Sequence, residues 1–184
     1  MERIYGSPGK LQQIFIFRIV WRQEQCIIYN LFSTKTMLEN IKTKILEKYK
    51  ADEKRGLFLS LFDKDNTLLT SNGVLSTDKS LDELIDLLYH GIVEKYPNCT
   101  YIIADFPGTL NLQNDATTLL NSSVVEQGIC LISPDDTKSG VLLPGTPGVT
   151  DMKTAITLVK EKFGLTGNVQ IYTFTSDKIM IQNQ

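Results

Sequence analysis

The amino-acid sequence predicts an α+β fold: mixed, largely antiparallel sheets carrying about three helices. Three observations carry that prediction. Short runs of residues alternate apolar and polar with period two and are bounded by Asp, Asn, Gly and Pro, as strands joined by turns are. Three longer segments repeat their apolar residues at helical spacing, two of them behind capping boxes. The order is hairpin, helix, strands, helix, strand, hairpin, helix, strand, which lacks the strict alternation of a doubly wound parallel sheet. A chain of 184 residues makes one domain with room for two lobes and buries roughly 70% of its unfolded surface.

Taken in order, the first ten residues, with Gly6, Ser7, Pro8 and Gly9, form a loose leader. Residues 12–21 and 26–32 are β-rich runs joined by a polar connection over 22–25, a hairpin with Phe15, Phe17, Ile19 and Trp21 on its more apolar face. Residues 1–33 are thus leader and N-terminal β-hairpin, and 34–184 the α+β domain. Thr36 and Glu39 make a capping box for a helix over 37–49, with Leu38, Ile41, Ile45 and Tyr49 along its stripe. Residues 56–62 read as a strand with Leu57, Leu59 and Leu61 on one side and Phe58 and Phe62 on the other. Asp63, Lys64, Asp65 and Asn66 turn it into 67–69. Thr77 or Ser80 caps a second helix striped by Leu81, Leu84, Ile85, Leu88 and Ile92. Pro97 and Asn98 mark a break before a strong strand over 99–106, and 107–123 is polar and unperiodic. Strands over 128–133 and 140–143 flank the turn at 134–137. A third helix over 151–163 runs from an N-cap at Thr150 to Gly164, and 169–175 is a strand that 179–181 extends.

Composition narrows the function. With 19 basic and 21 acidic residues there is no bulk attraction to nucleic acid or anionic lipid. The basic cluster Lys42, Lys44, Lys48, Lys50, Lys54 and Arg55, interleaved with Glu39 and Glu47, reads as a solvated helix face. A single histidine rules out multi-histidine metal sites and leaves His90 as the base for any Ser-His or Cys-His mechanism. Its place near the end of the second helix is one the helix dipole favours on its own account. Cys26, Cys99 and Cys130 lie far apart in apolar runs, which excludes a zinc knuckle and a C-x-x-C redox motif. They read as buried, reduced structural thiols suited to the cytoplasm. The apolar stretch over 14–21 is short and broken by Arg18, so neither a secretory segment nor a membrane span is expected. Without such a signal, the two sequons at Asn98 and Asn121 are chance matches.

Three motifs need weighing. The Asp63–Asn66 tetrad is superficially like a calcium loop, but Leu68 stands where such a loop needs glycine and Val74 where it needs a bidentate glutamate. Asp135 and Asp136 in a Pro-Asp turn are turn residues. The loop over 140–148 has glycines ahead of a helix, yet Pro144 and Pro147 remove amide donors and no G-K-[ST] follows. No catalytic, cofactor-binding or metal-ligating set is assigned.

The second half of the chain resembles the AMMECR domain family. The match is carried in order by Gly128, Ile129, Cys130 and Leu131; by Ser139, Gly140, Val141, Leu142, Leu143 and Pro144; by a helix; by Phe163, Gly164 and Leu165; and by Tyr172 with Phe174. Upstream, the first helix, residues 56–61 and residues 73–76 agree more loosely, so the resemblance covers roughly 36–176 and leaves the N-terminal hairpin as an addition. The resemblance implies a two-lobed α+β fold with a signature, Leu-Arg-Gly-Cys-Ile-Gly, lining a cleft. Here the signature positions hold Leu68, Leu69, Thr70, Ser71, Asn72 and Gly73, so the arginine and cysteine are replaced by Leu69 and Ser71. The family's Asp-Pro-Arg-Phe-Pro-Pro segment is also missing. Any chemistry that needed a thiolate beside a cation is lost with them.

The resulting expectation is a non-catalytic domain that binds a protein partner or small ligand through cleft loops, with Ser71, Asn72, Gly73, Ser139, Gly140 and Pro144 as the interaction residues. The exposed edge of the 12–32 hairpin is a second site, for strand addition or for a homodimer. The rival expectation is an enzyme with a rebuilt cleft, Ser71 acting as nucleophile and His90, Asp63, Asp65 or Asp78 as its base.

Overall fold

A computed structural model describes residues 33–182 with the exception of residue 136. The leader, the 12–32 hairpin with Cys26, and Asp136 lie outside the described residues. In chain order the elements are α1 (Ser33–Leu46), β1 (Leu57–Phe62), β2 (Leu68–Val74), α2 (Leu81–Gly91), a 3-10 turn (Val93–Lys95), β3 (Tyr101–Pro107), β4 (Asn111–Leu112), α3 (Ala116–Leu120), β5 (Gly128–Ile132), β6 (Ser139–Leu142), α4 (Met152–Phe163), β7 (Gln170–Phe174) and β8 (Ser176–Gln182). The fold is α+β, with two four-stranded sheets ordered β2-β1-β3-β8 and β4-β7-β5-β6. Every pairing whose register is described is antiparallel. The described residues form two compact units: 33–106 together with 178–182, and Pro107–Asp177.

In the first unit β1 is central and wholly buried. Strand alternation sends Leu57, Leu59 and Leu61 to one face, where α1 and α2 cover them with Met37, Ile41, Ile45, Leu81, Leu84, Ile85 and Leu88. The other face carries Phe58, Ser60 and Phe62, and Phe62 stacks on Tyr101 with ring centroids 4.8 Å apart. Ser80 caps α2 as expected: its hydroxyl accepts the Glu83 amide at 3.3 Å while Glu83 Oε2 accepts the Ser80 amide at 3.0 Å. The next two α2 amides, Leu81 and Asp82, donate to the carbonyls of Glu53 and Ala51. The first helix departs from expectation. It is already helical from Ser33 and stops at Leu46, so Thr36 stands inside it rather than ahead of it.

In the second unit Ile129 and Leu131 of β5 pack under Met152, Ala155 and Val159 of α4, with Leu119 of α3 beside them. The N-cap of α4 is Asp151, not Thr150: its Oδ1 accepts the Thr154 amide at 2.8 Å, and the Thr150 hydroxyl donates to its Oδ2 at 3.1 Å. Gly164 ends α4 in the left-handed region at φ 58°. Two further expectations change. The polar stretch after residue 107 contains β4 and α3, the latter capped by Asp115, which accepts the amides of Thr117 and Thr118. Residues 179–181 do not prolong β7; they belong to β8, in the other sheet. Among the described residues no helix is long and apolar enough to cross a membrane.

Candidate functional site

The six expected interaction residues divide between the units. Ser71, Asn72 and Gly73 are not in a loop: all three lie in β2, opposite Ser60, Leu59 and Phe58 respectively. The Ser71 hydroxyl sits 2.9 Å from that of Ser60, and Asn72 Oδ1 accepts the Gly73 amide at 2.8 Å. Ser71 is half-buried while Asn72 and Gly73 are buried. Gly73 has a packing reason: a Cβ there would strike the Leu57 carbonyl oxygen and lie 2.6 Å from Phe58 Cγ.

Ser139 and Gly140 lie in β6, and Pro144 is buried just beyond it. Gly140 is again a packing glycine, since a Cβ would fall on the Phe163 ring and 2.6 Å from Val159 Cγ1. After Pro144 the loop is internally tied. Gly145 N–H donates to the Val124 carbonyl at 2.8 Å, the Thr146 hydroxyl donates to the Leu143 carbonyl at 2.7 Å, and Gly145 and Gly148 take φ of 68° and 80°. The Asp151 carboxylate, held below its ordinary value first by the Thr154 amide and then by the Thr154 hydroxyl, already occupies the α4 N-terminus, so that end is no phosphate cradle.

Two of the residues proposed as bases for Ser71, His90 and Asp63, have other partners. His90 Nδ1 lies 3.0 Å from Glu94 Oε1 on an exposed stretch, and its ring meets Tyr89 edge-on. Asp63 Oδ1 accepts the amides of Asp65 and Thr67, both at 2.9 Å, and Asn66 takes φ 60°, which is turn geometry. Asp135 is likewise bound into its turn. It accepts the hydroxyls of Ser133 at 2.6 Å and Thr137 at 2.8 Å, which bring its carboxyl down to about 2.

Burial raises both described thiols. Cys130 in β5 is pushed up to about 12, and Cys99 is raised despite backbone hydrogen bonds from Phe62 and Tyr101. Three members of the basic cluster are paired with acids. Lys42 sits 2.9 Å from both Asp82 and Asp86, Lys44 meets Glu47, and Arg55 meets Glu53 while stacking 3.9 Å over the Tyr49 ring.

One polar group went unnoticed in the sequence. Asp105 in β3 is only 2% exposed and lies 3.5 Å from Lys178 Nζ. It is paired with Phe58, on the same sheet face as the two serines. The signal was an acid inside the otherwise apolar run Ile102, Ile103, Ala104, Phe106, where a carboxylate persists only with partners.

No family profile matches the chain, and no curated protein matches it. Among solved structures, that of PH0010, an uncharacterized protein from Pyrococcus horikoshii, is similar with a TM-score of 0.61 and 18% identity, covering 80% of this chain and 87% of that one. The likeness is one of fold.

Proposed function

We propose that this chain is a non-catalytic binding domain of AMMECR type, which recognises a protein partner or small ligand without turning it over. The observation that carries the reading is the composition of the signature strand. Leu69 and Ser71 stand where the family sets arginine and cysteine, and the Ser71 hydroxyl is engaged with Ser60 at 2.9 Å. A serine needs an adjacent base to become a nucleophile. His90 Nδ1 lies 3.0 Å from Glu94 Oε1, and Asp63 is bound to backbone amides of its own turn. Cys99 and Cys130, held protonated by burial, offer no thiolate in its place. The reading sets the protein in the cytoplasm, where such thiols stay reduced.

A fluorophosphonate probe separates this reading from the enzymatic one. Labelling of the wild type and of Ser71→Ala is expected to be equal. Labelling that disappears with Ser71→Ala would replace the binding domain with a serine enzyme.

A further inference from the structure

Among the described residues β6 ends its sheet, bonded to β5 alone in the order β4-β7-β5-β6. The Ser133 amide donates to the Lys138 carbonyl at 2.9 Å, and the register then pairs Leu131 with Gly140 and Ile129 with Leu142. In an antiparallel ladder alternate residues bond inward, so the N–H and C=O groups of Ser139 and Val141 point away from β5. The other sheet edges carry protection that β6 lacks. β2 is bulged opposite Leu61 and Phe62, β4 has two residues, and β8 bears Asp177 and Lys178 and gives its Gln182 carbonyl to Asn40. The Ser-Gly-Val-Leu of β6 has no charge, proline or bulge.

The helix above this edge supplies side-chain chemistry. Phe163 lies against Gly140, and Ile156, Lys160 and Phe163 follow at i, i+4 and i+7 along one half-buried row of α4. Lys153 precedes that row by one turn. The acid of the helix, Glu161, is exposed and lies two residues from Val159, on the opposite side of the helix from its buried face. The row is therefore apolar and cationic, with Lys160 Nζ donating one hydrogen bond to the Gly167 carbonyl at 3.1 Å and keeping two further donors.

We propose that the β6 edge binds an extended peptide segment as an added antiparallel strand, its apolar side chain set against Phe163 and Ile156 and its acidic side chains meeting Lys153 and Lys160. This rests on the reading of the chain as a binding domain and names the kind of partner it takes. The backbone groups of Ser139 and Val141 provide affinity, and the α4 row provides selectivity for an acidic-apolar pattern.

The test is an NMR titration of the full chain, 15N-labelled, with a blocked Thr-Glu-Thr-Val-Thr-Glu-Thr peptide, which puts one valine between two glutamates on one face. Amide shifts are expected at Ser139 and Val141. Affinity is expected to fall about tenfold or more when the peptide's edge-facing amides are N-methylated, since each removes a hydrogen bond. A lysine-for-glutamate peptide and Lys160→Glu in the protein are expected to weaken binding likewise. N-methylation changes only the peptide, so that result does not depend on any variant folding. Equal affinity of the N-methylated peptide, or no shift at millimolar peptide, overturns the proposal. Shifts confined to 71–73 overturn it too but leave the binding-domain reading standing. Concentration-dependent shifts at Ser139 and Val141 without peptide would mean β6 pairs with a second copy, and the proposal falls.

Discussion

Each unit buries one described thiol, and the two burials differ in kind. Cys130 is enclosed in β5, where burial alone acts on it and pushes it up to about 12. Cys99, between the 3-10 turn and β3, is raised by burial but opposed by hydrogen bonds from Phe62 and Tyr101, and its own thiol reaches the Tyr101 carbonyl at 3.3 Å. An enclosed thiol relies on apolar packing, whereas one at a strand end keeps polar company that partly stabilises its thiolate. The largest expected effect sharpens that contrast. At pH 8, alkylation of native Cys130 should be slower than that of a free thiol by on the order of a thousandfold, through its thiolate fraction alone. Cys99 should fall between. Mass-spectrometric mapping of iodoacetamide adducts over time checks the order, and equal rates would remove the distinction.

Glycine gives a second contrast. Gly73 is confronted by backbone, the Leu57 carbonyl and the Phe58 Cα, which cannot retreat without parting β1 from β2. Gly140 is confronted by side chains, the half-buried Phe163 and the buried Val159, and a side chain can rotate where a backbone cannot. Gly73→Ala should therefore cost about 3 kcal/mol or more and Gly140→Ala nearer 1 kcal/mol, the two ends of the range for overpacking. Hydrogen exchange of β1 and β5 amides reads each unit separately. A larger loss at β5 from Gly140→Ala than at β1 from Gly73→Ala would reverse the comparison.

These glycines also show what was legible. That 73 and 140 are glycine was plain, and both belong to the resemblance, but a linear pattern does not say whether a glycine makes room for a ligand or for a neighbouring strand or helix. Period and capping residues located most elements, because in-or-out alternation and cap chemistry are local. Ser80 with Glu83 and Gly164 were readable for that reason. Partner choice is not local. Residues 179–181 look like more of β7, yet they join β3, since alternation fixes a face and leaves the neighbour open. α3 was passed over because five residues are too short to show a period, although Asp115 ahead of Thr118 was its capping signal. The resemblance put Ser71–Gly73 in a cleft loop, but a strand facing Ser60 accommodates a serine by pairing hydroxyls.

Ion pairing is a smaller term. Lys42 of α1 is held between Asp82 and Asp86 of α2. Burial alone would lower its ammonium, but the hydrogen bonds and charges of Asp86 and Asp82 raise it. A raised group contributes stability that is fully present below its unfolded pKa, about 10.4, and is lost as the pH climbs through the folded value. The carboxylates are about two-fifths exposed, so Lys42→Met should cost no more than about 1 kcal/mol at neutral pH. Urea melts at pH 7 and above pH 10 test this: the difference between wild type and Lys42→Met should fade at the higher pH.

The turn between β5 and β6 should show the weakest effect, with the opposite pH sense. The Asp135 carboxyl is lowered to about 2 by the Ser133 hydroxyl first, then by the Thr137 hydroxyl and amide. A depressed acid contributes stability above its unfolded pKa, about 3.9, and loses it as the pH falls through the folded value. Asp135→Asn should therefore be measurably less stable than wild type at pH 5, with the difference fading as the pH falls through about 2. Because the Ser133 hydroxyl both donates to Asp135 and accepts the Lys138 amide at 2.9 Å, the loss should register as faster exchange of the Lys138 amide. A pH-independent difference would mean that Asp135 shapes the turn sterically rather than through its charge.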